Sequence, residues 1–161
     1  KYIKKKLGTK KLICVSPDVG GVARTRALAT RIKADLAIID KRRPAPGKSQ
    51  VMNVIGNVKG KTCILVDDII DSGGTIVNAA KALKDRGAKE VYVYITHGVL
   101  SGDAINKIKK SIIKKLVITD TIDNLGKTNK AKNIEVLSIS KLMAEAIKRI
   151  SNSTSVSDLF K

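Results

Sequence analysis

The sequence is poor in aromatic side chains and has no long hydrophobic run. Among 161 residues it contains no tryptophan, one phenylalanine and three tyrosines. Proteins that bind single-stranded nucleic acids usually stack bases on aromatic rings, so this scarcity argues against that function. No apolar run approaches the ~20 residues that a membrane-spanning helix needs, and the start of the chain carries no apolar signal-peptide core. We therefore expect a cytoplasmic protein that makes no contact with a membrane.

Acidic residues are also scarce. The sequence has 32 lysines and arginines but only 14 aspartates and glutamates, which gives a net charge of +18. Such an excess invites a nucleic-acid interpretation. Lysine makes up most of it, however, whereas base-specific contacts and phosphate forks favour the bidentate guanidinium of arginine. We interpret most of the charge as solvated surface lysine and do not expect a nucleic-acid partner. Attraction to polyanions remains the alternative.

Only two cysteines occur, Cys14 and Cys63, and each lies inside an apolar, strand-like run. They form neither a CxxC pair nor part of a metal-ligand cluster. We expect two buried, reduced thiols, which fits an intracellular protein.

Short apolar runs alternate with helical patterns, which predicts an α/β fold with a mostly parallel central sheet flanked by helices. The whole of 1–161 is predicted to be one domain. Within it, 1–11 is an exposed basic lead-in, 41–60 a flexible loop with a hairpin possible over 50–58, and 151–161 a tail. The predicted strands are 12–16, 36–40, 62–67, 90–96, 116–119 and 135–139, and the predicted helices are 22–33, 75–86, 101–110 and 141–150.

The densest acidic cluster, Asp67, Asp68 and Asp71, directly follows the most apolar strand. Ligands bind at that carboxyl edge in open α/β sheets. The segment continues through Ser72, Gly73, Gly74 and Thr75 into a helix, whose N-terminal N–H groups attract phosphate. Carboxylates accept hydrogen bonds from sugar hydroxyls or bind Mg²⁺. A phosphorylated sugar needs both kinds of group, although an ordinary capped acidic turn has the same residues.

The run 63–75 (CILVDDIIDSGGT) resembles the phosphoribosyl pyrophosphate signature of type I phosphoribosyltransferase-fold proteins. Further segments resemble the ribose-phosphate pyrophosphokinases, also called phosphoribosyl pyrophosphate synthetases, in order along the chain. These segments are VSPDVGGVARTR (15–26), DLAIIDKRRPAP (35–46), VMNVIGN (51–57), THGVLSG (96–102) and SVSDLF (155–160).

The resemblance implies transfer of diphosphate from ATP to ribose 5-phosphate with Mg²⁺, giving phosphoribosyl pyrophosphate and AMP for nucleotide biosynthesis. By the same resemblance, the loop formed by Asp71, Ser72, Gly73, Gly74 and Thr75 binds the 5-phosphate. Asp67 and Asp68 would face the ribose hydroxyls and the cation. Asp18 would hold a second cation, although from the residues alone it is more simply a turn aspartate after Pro17.

The resemblance also assigns Lys41 and Arg43 to a catalytic loop over the diphosphoryl group. Diphosphoryl transfer needs mainly positioning and cations, which two basic side chains on a closing loop would supply. The single histidine, His97, is interpreted as making a structural hydrogen bond rather than acting as a base. Ser155, Ser157 and Phe160 match a family segment of an allosteric site between subunits, but Asp158 stands where tyrosine is common, which leaves regulation open.

Members of the family have about twice this length, and this chain resembles their C-terminal half. The missing N-terminal half would carry most of the ATP site, and the full enzyme is expected to be a homo-oligomer, a hexamer in the family. We expect the chain to bind ribose 5-phosphate and Mg²⁺ but to turn over ATP poorly or not at all. A free-standing phosphoribosyltransferase and a non-catalytic regulatory homologue or binding module are the alternatives.

Overall fold

The structure is a computed structural model that describes residues 2–8, 11–42 and 51–160. Strands and helices alternate along most of the chain, as the sequence predicts. The strands are β1 (Leu12–Ser16), β2 (Asp35–Arg42), β3 (Val51–Ile55), β4 (Thr62–Ile70), β5 (Glu90–Gly98), β6 (Lys115–Thr119) and β7 (Ile134–Leu137). The helices are α1 (Tyr2–Leu7), α2 (Val22–Ile32), α3 (Gly74–Asp85), α4 (Ala104–Lys110), α5 (Leu125–Thr128) and α6 (Ser140–Ser151), and a short 3₁₀ helix covers Val156–Phe160.

The seven strands form one sheet in the order β3-β2-β1-β4-β5-β6-β7. Every neighbouring pair is parallel except β2 and β3, which are antiparallel. This confirms the predicted mostly parallel α/β sheet. The central strands are apolar on both faces because parallel strands joined through helices are covered on both sides.

Two hydrophobic clusters lie on opposite faces of the sheet, since successive side chains of a strand point in opposite directions. Leu65 belongs to the larger cluster with Leu83 of α3. Its neighbour Ile64 belongs to the smaller cluster with Ala29 of α2. Cys14 and Cys63 are both buried and free, which confirms the predicted buried thiols, and burial raises the pKa of each thiol to about 12.

The predicted exposed lead-in was wrong, because residues 2–7 form helix α1. Ile3 and Leu7, one helical turn apart, are buried against the smaller cluster. Tyr2 donates a hydrogen bond from its hydroxyl to Glu135 and packs edge-on against Tyr94, with 6.2 Å between ring centroids. Three consecutive lysines, Lys4–Lys6, separate Ile3 from Leu7 and make the segment resemble an exposed basic stretch, although the i, i+4 spacing of the two apolar residues fits a helix.

The predicted loop over 41–60 is partly regular. Strand β2 continues to Arg42, so Lys41 lies in a strand, and β3 pairs with it in the register Lys41↔Met52. The separate hairpin that the sequence allowed over 50–58 was wrong, because 51–55 form the single strand β3, which pairs with β2 instead. Residues 43–50 lie outside the described part of the chain.

Several other element bounds also differ from those predicted, most clearly in β4 and α4. Strand β4 extends to Ile70 rather than ending at Asp67, because β5 continues beside it and pairs as far as Ile70↔Gly98. Helix α4 begins at Ala104, three residues later than expected, and the four-residue helix α5 was not predicted.

In the described residues, no helix combines the length and the hydrophobicity needed to cross a membrane.

Candidate functional site

The predicted acidic residues meet at the point where the winding of the sheet reverses. From β1 the chain passes to β2 on one side, whereas β4 lies on the other side of β1 and continues to β5. The carboxyl ends of β1 and β4 are therefore adjacent, and the segments that follow them diverge to opposite faces. Ligands of open α/β sheets bind in the crevice at such a switch point.

Asp18 lies in the turn that follows β1 and helps to shape the start of α2. Its Oδ1 accepts a hydrogen bond from the Gly21 backbone N–H at 2.8 Å, and its backbone oxygen accepts one from Ser16 Oγ at 2.7 Å. A Cβ at Gly21 would come within 2.7 Å of Ser16 Oγ. A larger residue at position 21 would thus push the Ser16 hydroxyl away from the Asp18 backbone oxygen.

Asp67 and Asp68 occupy consecutive positions near the end of β4, so their side chains leave the strand in different directions. The Asp67 side chain is 17% exposed and that of Asp68 is 57% exposed. The Asp68 backbone N–H donates to Asp67 Oδ1 at 3.0 Å, which orients the Asp67 carboxylate. Partial burial raises the pKa of Asp67 above its ordinary value.

Arg24 of α2 reaches both carboxylates, although its role was not foreseen from the sequence. Its Nη1 lies 2.6 Å from Asp68 Oδ2 and 3.4 Å from Asp67 Oδ1. The hydrogen bond from this guanidinium holds the pKa of Asp68 below its ordinary value. Arg24 lies within the segment 15–26 that resembles the family, but nothing in the residue spacing indicates which basic residue of α2 contacts the carboxylates at the end of β4.

The loop after β4 passes through a left-handed glycine into the N-terminus of α3, beside the crevice. Gly73 has φ of 76°, in the left-handed region that favours glycine, and α3 begins at the next residue. No side chain among the described residues caps this helix. The first N–H groups of an α-helix have no partner within it, and they carry a partial positive charge that favours anions. The loop is therefore suited to hold a phosphate.

An open cavity of about 280 Å³ joins the turn after β1 to the loop before α3. This volume is near the lower end of the roughly 300–1,000 Å³ usual for small-ligand sites. Most of the residues that the sequence assigned to a sugar-phosphate site line it. They are Asp18, Lys41, Asp67, Asp71, Ser72, Gly73, Gly74 and Thr75, together with Ile69, Ile70 and Ile76.

Asp68, which the sequence also assigned to the sugar-phosphate site, is not among the lining residues and is engaged by Arg24 instead. Arg43 falls outside the described residues, so its predicted partner Lys41 is the member of the basic pair that the structure describes at the cavity.

The proposed allosteric segment lies at the other end of the molecule. The guanidinium of Arg31, in the last turn of α2, donates to the backbone oxygen of Phe160, and Arg149 donates to the backbone oxygen of Ser155 at 2.8 Å. Helix α2 runs away from the crevice, so Ser155, Ser157 and Phe160 are far from the cavity along this helix. The structure does not bring them together with the predicted sugar-phosphate site.

His97, at the end of β5, makes the kind of structural contact that the sequence suggested. Its Nδ1 is 3.0 Å from Thr121 Oγ1, and the same threonine hydroxyl donates to the backbone oxygen of Thr96 at 3.2 Å. His97 does not line the cavity beside Asp67 and Asp71.

The donor atoms at the crevice fit Mg²⁺ by their chemistry. Across residues 2–8, 11–42 and 51–160, no three histidine, cysteine or acidic side chains form a group able to hold a metal ion. Mg²⁺ does not need one, because it is commonly bound by one or two carboxylates, with water and substrate phosphates completing its shell. Asp67 and Asp68 would supply such oxygen atoms, and Asp18 would supply another nearby.

Comparison with known proteins identifies what this arrangement resembles. A family described as "Phosphoribosyl synthetase-associated domain" matches residues 40–161. The ribose-phosphate pyrophosphokinase of Hyphomonas neptunium is 59% identical over 159 residues, which cover 98% of this chain and 51% of that protein. The chain thus spans about half the length of this curated relative.

Solved structures agree with the sequence relatives. The crystal structure of phosphoribosylpyrophosphate synthetase from Mycobacterium smegmatis superposes with a TM-score of 0.85 at 36% identity, covering 94% of this chain and 49% of that one. A purine phosphoribosyltransferase from Pyrococcus horikoshii superposes with a TM-score of 0.53 at 17% identity, covering 86% of this chain and 80% of that one. The latter likeness concerns the fold alone, and the predicted phosphoribosyltransferase-like fold is confirmed.

Proposed function

This chain belongs to the family of the phosphoribosyl synthetase-associated domain, and we propose that it is the ribose-5-phosphate-binding, C-terminal half of a ribose-phosphate pyrophosphokinase. The observation that carries the proposal is the single cavity that joins Asp67 to the loop Asp71, Ser72, Gly73, Gly74 and Thr75. Carboxylate oxygens and unpaired helix N–H groups within one cavity suit the two ends of a sugar phosphate.

The loop before α3 binds the 5-phosphate of the sugar in this proposal. The left-handed Gly73 lets successive N–H groups point at one anion, and the dipole of the 12-residue helix α3 adds a favourable potential. Lys107 lies close by, with its ammonium 3.4 Å from the Ser72 backbone oxygen, and adds positive charge near the phosphate.

Asp67 faces the sugar hydroxyls in the same cavity, and its carboxylate accepts their hydrogen bonds. With Asp68, and with Asp18 across the crevice, it would hold Mg²⁺. A bound Mg²⁺ would neutralise charge on the diphosphate oxygens. The protein groups themselves hold the C1 hydroxyl of the sugar in line with the β-phosphorus of ATP, which is the main contribution that diphosphoryl transfer requires of a protein.

Lys41 stands at the end of β2, at the cavity, where it would contact the transferring diphosphate. We assign the same role to Arg43. Two cations over the developing negative charge would lower the barrier by electrostatic stabilisation. In the balanced reaction, the C1 oxygen bonds to the β-phosphorus of ATP, the bond to the α-phosphate oxygen breaks and AMP leaves. The hydroxyl proton is released to solvent.

The other half of the enzyme would supply the nucleotide site. The chain matches about half of its relatives' length, which leaves the other half of such a protein to hold the nucleotide. We propose that the full enzyme assembles as a homo-oligomer and that Ser155, Ser157 and Phe160 lie at a regulatory contact of that assembly.

Calorimetric titration with ribose 5-phosphate in the presence of Mg²⁺ tests the proposal. We expect binding to the isolated chain, and at least tenfold weaker binding for Asp67→Asn, whose carboxylate accepts the hydrogen bonds of the sugar hydroxyls in this proposal. Asp85→Asn, the same charge change at the exposed end of α3, is the matched control and should bind like the unsubstituted chain. Equal affinity for ribose 5-phosphate and for ribose without phosphate, or equal affinity of the two variants, would contradict the proposal.

The same preparation distinguishes synthetase from transferase chemistry. We expect little AMP release from ATP and ribose 5-phosphate by this chain alone. Rapid AMP release would show that no other half is required, and pyrophosphate release from phosphoribosyl pyrophosphate that depends on an added nucleobase would indicate a phosphoribosyltransferase instead.

A further inference from the structure

Arg24 connects two elements that lie far apart in sequence and meet at the crevice. It projects from the first turn of α2, and its Nη1 lies 2.6 Å from Asp68 Oδ2 and 3.4 Å from Asp67 Oδ1. One nitrogen therefore faces oxygens of both carboxylates. These are the same carboxylates that would bind a cation at the end of β4.

The ion pair between Arg24 and Asp68 is weak enough for a divalent cation to displace the arginine. The Arg24 side chain is 37% exposed and the Asp68 side chain 57% exposed, so water screens their attraction. Exposed pairs of this type contribute about 0–1 kcal/mol. A divalent cation, which carries twice the charge and prefers carboxylate oxygen, can therefore compete with this guanidinium.

The guanidinium and a divalent cation compete for the acidic pair. A cation held by Asp67 and Asp68 would lie close to the guanidinium, and two positive charges a few ångströms apart repel each other. The rest of the chain adds to this repulsion between positive charges, because its net charge is +18 and the acidic cluster is an exception within it. With Arg24 in place, the ligand-free cluster is already partly neutralised.

We propose that Arg24 is an internal counter-ion of Asp67 and Asp68, which a divalent cation displaces when it binds. Arg24 keeps like-charged carboxylates together in the ligand-free chain and weakens their affinity for a cation by competition. The inference rests on the proposed function only in taking Asp67 and Asp68 as cation ligands. It makes Arg24 a positioning residue, since it acts through the carboxylates.

Titration with Mn²⁺ alone, followed by the loss of the free-ion electron paramagnetic resonance signal, tests the competition without sugar or nucleotide. We expect Arg24→Gln to bind Mn²⁺ about three- to fivefold more tightly than the unsubstituted chain. Arg26→Gln removes the same charge from an exposed position two residues further along α2 and serves as the matched control, with less than a twofold effect.

A double-mutant cycle shows whether Arg24 acts through Asp68. In an Asp68→Asn background, Arg24→Gln should raise Mn²⁺ affinity less than it does with Asp68 present, because only the longer contact to Asp67 remains. Unfolding in urea checks that each variant is folded before it is titrated. The proposal is overturned if Arg24→Gln binds Mn²⁺ no better than Arg26→Gln, if its effect is undiminished in the Asp68→Asn background, or if folded chains with Asp67 and Asp68 intact do not bind Mn²⁺.

The proposed function and this inference fail in different ways. If the unsubstituted chain does not bind ribose 5-phosphate, the proposed function fails, whereas the Mn²⁺ comparison between the two arginine variants is unaffected. If ribose 5-phosphate binds as expected and the two arginine variants bind Mn²⁺ equally, only the counter-ion role of Arg24 is wrong.

Discussion

Replacing Gly73 by alanine tests the conformation of the loop on which phosphate binding depends. Gly73 has φ of 76°, and a left-handed conformation costs an L-residue with a Cβ about 1–2 kcal/mol. Space is not the obstacle, because a Cβ there would lie 3.7 Å from Ile108 Cδ1 and 3.8 Å from Ala104, which is ordinary contact. We therefore expect Gly73→Ala to lower the free energy of unfolding by about 1–2 kcal/mol.

Gly74 provides the matched control, because it is the first residue of α3 and adjoins Gly73. A Cβ at Gly74 would meet nothing within 4 Å, and its φ is not in the left-handed region. Alanine in a helix is favoured over glycine by roughly 0.5–1 kcal/mol, so Gly74→Ala should be neutral or slightly stabilising. The two variants, identical in composition, should thus differ by about 1–3 kcal/mol in unfolding free energy.

Urea unfolding followed by circular dichroism measures this difference directly. In thermal unfolding it corresponds to about 2–12 °C between the two melting temperatures for a chain of this length. Gly73→Ala should also weaken ribose 5-phosphate binding, because the N–H groups of the loop no longer converge. If Gly73→Ala is as stable as Gly74→Ala, the left-handed turn is not the reason for glycine at position 73 and the account of the loop is wrong.

The remaining predictions concern the two buried thiols and two glycines that lie between β3 and β4. Because burial raises the pKa of Cys14 and Cys63 to about 12, the thiolate is suppressed at pH 8, and a disulfide reagent should label neither thiol until urea unfolds the chain and exposes both. Gly56→Ala should lower the free energy of unfolding by about 2 kcal/mol or more, since its φ is 116° and a Cβ would lie 2.9 Å from Ala37 Cβ. Gly60→Ala, left-handed but with open space around its Cβ, should cost only about 1 kcal/mol, and equal losses of stability in urea would contradict the steric reasoning.

Local patterns in the sequence predict the sheet and most of the cavity well. The apolar run of β4, the acids at its end and the two glycines are contiguous, so their order alone places Asp67, Asp71 and the phosphate loop at one edge of the sheet. Asp18 joins them because β1 and β4 are neighbours, which follows once the sheet is known to be parallel and to reverse its winding there.

Contacts made by long side chains between distant elements could not be predicted in the same way. Arg24 and Asp68 are 44 residues apart, and only the packing of α2 beside β4 decides which basic residue of the helix crosses to the acids. Helix α1 was missed for a related reason. Its six residues are too few for a periodic pattern to be clear, and it is held by tertiary contacts of Ile3, Leu7 and Tyr2.

The most direct test of the central claim is an amide ¹H–¹⁵N spectrum of this chain titrated with ribose 5-phosphate and Mg²⁺. We predict that the largest shifts fall on the backbone amides of Ser72, Gly73, Gly74 and Thr75, with smaller shifts near Asp67. Inorganic phosphate should move the loop amides but not those near Asp67. Saturating ribose 5-phosphate that leaves the loop amides unshifted, or that shifts mainly the tail around Ser155 and Phe160, would contradict the assignment of this cavity as the sugar-phosphate site.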